Sequence, residues 1–134
     1  RTTDTSGAVT GVTLDGSKIG GTVDDATVIF PDPMVATGSS LAGVIEHYRD
    51  AVPGQAHRMV AVHLIVTPEY LKRMTSQFPG LDIFAIRLDR GLSEPDVLRS
   101  VPGTHWEREV GLNETQYIVP GAGGVGEVLN NAWI

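Results

Sequence analysis

The residues best equipped for chemistry in this 134-residue chain sit in one short segment, Asp32-Pro33-Met34-Val35-Ala36-Thr37-Gly38-Ser39-Ser40. Gly38 lacks the Cβ that keeps a ligand away from the backbone, and Thr37, Ser39 and Ser40 add hydroxyl donors. A helix starting at the serines would aim unpaired N–H groups and the positive end of its dipole at the same point. Donors arranged that way bind phosphate. Asp32, at the other end of the segment, is a carboxylate suited to accepting hydrogen bonds from sugar hydroxyls. The same residues also fit a plain strand-to-helix turn in which Ser39 only caps the helix. A nucleoside-triphosphate loop is not indicated, because G-x-x-x-x-G-K-[ST] is absent.

A second glycine cluster, Gly121-Ala122-Gly123-Gly124-Val125-Gly126, matches G-x-G-x-x-G. The dinucleotide reading fails on length. Only eight residues follow Gly126, too few for the helix, the next strand and the acid about 20 residues on that such a site requires. The cluster reads as a glycine turn.

These segments need elements to position them. Residues 26–30 form a β-branched apolar run that predicts a strand covered on both faces, ended by Pro31 and Pro33. Leu41, Val44, Ile45 and Tyr48 recur at helical spacing, with Ser39 or Ser40 as the natural N-cap and Pro53-Gly54 as the stop. Residues 59–67 read as a buried strand, and Pro68 suits the first turn of a helix carrying Leu71, Met74 and Phe78. Residues 81–88 read as a third strand. Strands alternating with helices predict an α/β fold, a parallel sheet with flanking helices.

Weaker signals frame this core. Residues 9–14 suggest a short strand, with a hairpin turn at Asp15-Gly16 leading into residues 17–19. Residues 91–111 read as an exposed loop or arm with one helical turn near 94–99, and residues 117–119 as a last short strand. Trp106 would anchor that arm locally or against a second subunit. Asp24-Asp25 reads as a solvated turn and His63 as a satisfied core or crevice histidine. Glu69 suits the first turn of its helix or the mouth of the crevice, the first being preferred.

Composition limits the function. No cysteine is present, which removes disulfides, thiolate metal sites and cysteine nucleophiles. A net charge of −6 argues against nucleic acid. No apolar run approaches the roughly 18 residues of a membrane span. His47, His57, His63 and His105 show no ligand spacing, so no side-chain metal site is expected. The 16 glycines exceed the usual share of about 7%.

The segment at residues 32–40 resembles the phosphoribosyl pyrophosphate loop of the uracil phosphoribosyltransferases, a family of type I phosphoribosyltransferases. The family pattern is Asp-Pro-Met-Leu-Ala-Thr-Gly-Gly-Ser, with Val35 and Ser39 the two differences. Leu112-Asn113-Glu114 and Tyr117-Ile118-Val119-Pro120-Gly121 resemble its C-terminal signature, and Thr67-Pro68-Glu69 its Ala-Pro-Glu. The resemblance runs from about residue 24 to 126 and corresponds to the C-terminal part of the family. Residues 91–111 look like an insertion. The chain is accordingly expected to be the C-terminal portion of one phosphoribosyltransferase-like domain, incomplete at its N-terminus. The start at Arg1 fits a cut edge.

The resemblance implies transfer of a phosphoribosyl group from phosphoribosyl pyrophosphate (PRPP) to uracil, giving UMP and pyrophosphate in pyrimidine salvage. Ala36, Thr37, Gly38, Ser39 and Ser40 would hold the 5′-phosphate. Asp32 would hold the ribose hydroxyls and is the residue assigned to catalysis. Tyr117, Ile118, Gly123, Gly124 and Val125 would line the base pocket, largely through backbone groups. Mg2+ would arrive on the pyrophosphate of the substrate. A cytoplasmic location is implied, as is a homo-oligomer or pairing with a chain that carries the absent N-terminal half. The family has an acid where this chain has Gly124, and a glycine where it has Ser39. Those departures motivate the alternative, a catalytically degenerate binding or regulatory module acting with a partner chain.

Overall fold

The computed structural model of the chain describes residues 2–3, 9–11 and 19–118. At its start β1 (Thr2–Thr3) pairs antiparallel with β2 (Val9–Gly11). The expected turn at Asp15-Gly16 lies outside the described residues, as do Val119 and the glycine cluster at 121–126.

The main sheet is parallel. It contains β3 (Thr27–Pro31), β4 (Met34–Val35), β5 (Arg58–Val66) and β6 (Leu81–Leu88). β5 is central, with β6 on one side and β3 and β4 end to end on the other. The prolines therefore interrupt the edge strand rather than end it. Pro31 is opposite Val62 and Met34 opposite Ile65, so the register carries straight across Asp32 and Pro33. Proline removes a donor, but on an edge that loss can face away from the neighbour. The Pro33 carbonyl still accepts from the N–H groups of Leu64 and Ile65, at 2.9 and 3.1 Å.

Two helices link the strands. α1 (Ser39–Asp50) buries Leu41, Ala42 and Ile45, and α2 (Pro68–Gln77) buries Tyr70 and Met74. These side chains pack with Phe30, Val35, Ala61, Val66 and Phe78 into one core. Phe30 meets Tyr48 edge-on, with centroids 5.4 Å apart. α2 begins where sequence signals place it, with Thr67 capping and Pro68 at the first helical position. α1 does not. Its N-cap is Gly38, with φ of 75° and no side-chain cap, and Ser39 and Ser40 are already helical.

The expectation that residues 26–30 form a strand covered on both faces is overturned, and the bare face continues across β5 and β6. Leu64 is 55% exposed, Phe84 56% and Ile86 81%, and Ile29 and Val62 are exposed with them. The cause is topological. Successive strands are added in one direction, β3 to β5 to β6, and right-handed crossovers then place every helix on the same face. Covering the other face would require strands on the far side of β3.

After β6 the chain forms the arm expected at 91–111. It holds α3 (Pro95–Leu98) and one 3-10 turn, Trp106–Arg108. A buried ion pair pins it: Arg90 Nη1 lies 2.9 Å from Glu109 Oε1. Arg90 also donates to the carbonyls of Val97, Leu98 and Ser100, while Glu109 accepts from the Gly103 N–H. Trp106 serves as a local anchor, with Lys72 Nζ 5.5 Å from its ring centroid. Of the short strand expected at 117–119, Ile118 bridges Leu112 antiparallel, and Val119 lies outside the described residues.

Breaking a buried pair leaves an uncompensated charge, so Arg90→Met is expected to cost about 3–5 kcal/mol. Replacing both partners, Arg90→Met with Glu109→Leu, is expected to cost less than the single change. Urea unfolding of the two variants decides it.

Candidate functional site

The expected ligand segment lies at the C-terminal ends of the parallel strands, where ligands of open α/β sheets collect. Asp32, Met34, Val35, Ala36, Gly38, Ser39, Ser40 and Leu41 line a hollow of about 30 Å³. A larger cavity of about 390 Å³ opens at the opposite end of the sheet, among Tyr48, Met59, Phe78 and Leu81. Its walls are largely apolar, and its two arginines, Arg49 and Arg58, are paired with Asp50 and Asp82. The small hollow, by contrast, is lined by Ser39, Ser40 and the backbone of Gly38 at the start of α1.

Each part of the hollow has a local cause. The Asp32 N–H donates to the Val62 carbonyl at 3.1 Å, which keeps the residue on the sheet edge. Its Oδ1 accepts from the Met34 N–H at 3.3 Å. Thr37 Oγ1 lies 3.0 Å from Ser39 Oγ and accepts from the Ser39 N–H at 3.3 Å. Gly38 offers no side chain to cap α1, so the first-turn N–H groups beyond that of Ser39 have no side-chain acceptor among the described residues. The structure thus brings Asp32, Ala36, Thr37, Gly38, Ser39 and Ser40 together. The capping role expected of Ser39 or Ser40 is replaced by Gly38.

Three further residues hold this loop, and sequence reasoning missed their part in it. The Thr67 hydroxyl, fully buried, donates to the Ala36 carbonyl at 2.6 Å and accepts from the Tyr70 N–H at 3.0 Å. The Tyr70 ring lies against Gly38. A Cβ on Gly38 would fall 2.7 Å from Tyr70 Cδ2 and 3.4 Å from Met74 Sδ. Arg73 Nη1 donates to Ser39 Oγ at 2.5 Å, so a cation from α2 reaches the rim of the loop. The Thr67-Pro68 pair carries a readable cap signal. Nothing in the spacing of Tyr70 or Arg73 points at a loop more than thirty residues earlier.

The C-terminal site residues are only partly described. Tyr117 donates its N–H to Asn113 Oδ1 at 2.9 Å, and its carbonyl accepts from the Asn113 N–H at 3.0 Å. Ile118 is buried, so its side chain is closed to a ligand. Gly123, Gly124 and Val125 lie outside the described residues. Glu69 starts α2 and also accepts from the N–H groups of Gly111, at 3.0 Å, and Leu112, at 3.3 Å. That carboxylate ties the return of the arm to the head of the helix. His63 is satisfied and buried, as expected. Its Nδ1 lies 2.6 Å from the Asp32 carbonyl and its Nε2 lies 2.7 Å from the Tyr70 hydroxyl. No helix of the described residues is long and apolar enough to cross a membrane.

Comparison with known proteins agrees with this geometry. The sequence profile of a family described as uracil phosphoribosyltransferase matches residues 14–105. The chain is 33% identical over 101 residues to the uracil phosphoribosyltransferase of Methanococcus maripaludis strain C7, covering 75% of this chain and 34% of the relative. It is 32% identical over 110 residues to those of Thermococcus sibiricus and Pyrococcus furiosus, covering 82% of this chain and 38% of each relative. The chain thus spans a little over a third of the length of these curated relatives. Among solved structures, the AQ2163 protein from Aquifex aeolicus superposes with a TM-score of 0.58 at 28% identity, over 80% of this chain and 40% of that one.

Gly38→Ala places a methyl group against a buried ring and imposes a left-handed backbone on an L residue, and is expected to cost about 1–3 kcal/mol. Gly38→Asn tolerates the backbone but not the clash, so it is expected to cost nearly as much. Thermal unfolding of the two variants checks the order.

Proposed function

This chain belongs to the uracil phosphoribosyltransferase family, and on that premise we propose that it carries the phosphoribosyl-binding part of an enzyme moving a phosphoribosyl group from PRPP to uracil. The products are UMP and pyrophosphate. The observation that carries the reading is the hollow at the strand ends, which places Asp32 beside Ala36, Thr37, Gly38, Ser39 and Ser40. The loop backbone, the uncapped start of α1 and the hydroxyls hold the 5′-phosphate. Asp32 holds the ribose hydroxyls and so fixes the anomeric carbon relative to the phosphate anchor. Reaction at that carbon has oxocarbenium-like character, and the chain's contribution is orientation and charge placement rather than a covalent bond. Tyr117, Ile118, Gly123, Gly124 and Val125 supply backbone groups to uracil, whose alternating donors and acceptors peptide groups can match.

Mg2+ belongs to the same reading. Asp32 is the one carboxylate on the loop, and its Oδ2 has no hydrogen-bond partner among the described residues. A single carboxylate fits an ion that takes its other oxygen ligands from phosphate and water. The ion would neutralise charge on the departing pyrophosphate. The bare apolar face of the sheet supports pairing, either with a second copy or with a chain that supplies the rest of the domain. The alternative reading is a module that binds the phosphoribosyl ligand without turnover, and Gly124 favours it.

With PRPP, uracil and Mg2+, the protein is expected to release pyrophosphate. Asp32→Asn is expected to lower kcat/KM by about tenfold to a hundredfold, the range of a lost hydrogen bond to a charged group. PRPP binding in calorimetry without pyrophosphate release selects the module instead. No binding at all would sink both.

A further inference from the structure

Beneath the ligand loop lies a buried polar pair that the proposed reaction does not use. His63 of β5 is 2% exposed and Tyr70 of α2 is 0% exposed. Their rings meet edge-on, with centroids 5.0 Å apart at 81°. Their hydrogen bonds fix the protons. A backbone carbonyl can only accept, so His63 Nδ1 donates to the Asp32 carbonyl. In the neutral ring Nε2 then accepts, and the Tyr70 hydroxyl is its donor. Burial, and after it the nearby charge of Asp32, push the Tyr70 phenol well above its ordinary pKa, which keeps that donor in place.

The pair touches the loop at both ends. Through His63, the Tyr70 hydroxyl reaches the carbonyl of Asp32. Through its ring, the same side chain supports Gly38, where any Cβ would collide with it. Val62 and Met34 hold Asp32 by other atoms. Stability alone does not call for such a pair, because two buried hydrogen-bonding partners can be exchanged together for apolar groups of the same shape at little cost. What an apolar pair cannot supply is direction, since a directed bond fixes the rotation of the Asp32 peptide while the ring fixes the height of Gly38.

We propose that His63 and Tyr70 are positioning residues that set the spacing between Asp32 and Gly38, and so select a ligand whose sugar hydroxyls and phosphate stand a fixed distance apart, a pentose 5-phosphate. The inference rests on the phosphoribosyl reading of the loop and deepens it. A free phosphate engages only the Gly38 end and does not sense the spacing. A pentose phosphate engages both ends and does. A loop held in register also loses less freedom on binding.

The test uses the 134-residue chain, with ribose 5-phosphate and inorganic phosphate as separate calorimetric probes. Tyr70→Phe, and His63→Leu combined with Tyr70→Phe, are expected to stay folded and to keep inorganic phosphate affinity within about twofold while losing about tenfold for ribose 5-phosphate, the scale of one directed hydrogen bond. His63→Asn retains a donor near the Nδ1 position and is expected to recover part of the loss relative to His63→Leu. Nitrogen-15 spectra are expected to show the proton of His63 on Nδ1. Equal loss for both probes, loss for neither, or a proton on Nε2 overturns the proposal. If the unaltered chain binds neither probe, the phosphoribosyl reading is what fails. Amide exchange at Asp32 and Met34 then judges the clamp by itself: it must quicken in Tyr70→Phe, and unchanged exchange overturns the clamp too.

Discussion

The loop at residues 32–40 is made largely of small residues, and small residues cannot hold themselves in place. Much of the rest of the structure answers that constraint. Ala36, Thr37 and Gly38 bring almost no apolar surface of their own, so the loop is held from the outside, by the end of β5 and the first turns of α2. Thr67 is the pivot. Its one hydroxyl caps α2 and grips the Ala36 carbonyl, so the start of the helix and the position of the loop are set by the same atom. Because β5 is central and pairs with both neighbours, Thr67, which follows directly on its end, inherits the rigidity of the whole sheet.

Electrostatics follow the same division. The chain carries a net charge of −6, so on the proposed reading an anion has to be held by local groups against an unfavourable overall field. Uncapped N–H groups at α1, three hydroxyls and the guanidinium of Arg73 supply them. Two other acidic groups are engaged elsewhere. Glu69 accepts from two backbone N–H groups of the returning arm, and Glu109 is paired with Arg90.

Much of this was legible in the residues. The strands at 27–31, 58–66 and 81–88 and the helices between them follow from apolar runs, periodicity and proline–glycine stops. The strand-to-helix loop at residues 32–40 was legible because its residue chemistry is local. Four things were not. Both-face burial was inferred from continuous apolar runs, but an apolar run records hydrophobicity and says nothing of which side the crossovers fill, so Phe84 and Ile86 stand exposed. The prolines were read as a strand end, yet on an edge strand they only interrupt the ladder, and the register resumes at Met34. The His63–Tyr70 pair escaped because its meaning lies in contacts with Asp32 and Gly38, more than thirty residues away. The choice of Gly38 over the serines as N-cap depends on a left-handed backbone that composition does not reveal.

The arm after β6 has a consequence for how this protein can vary. It leaves and returns at one place: the Leu92 N–H meets the Val110 carbonyl at 3.1 Å, and the Val110 N–H meets Ser93 Oγ at 2.8 Å. With both ends stitched together, the sheet sees a closed gate whatever lies beyond it. Closure entropy grows only slowly with loop length, about 0.6 kcal/mol per doubling. Apart from the residues that satisfy Arg90, the excursion is therefore an exchangeable cassette, free to lengthen, shrink or take on new surface chemistry while the strand ends beneath it keep their places.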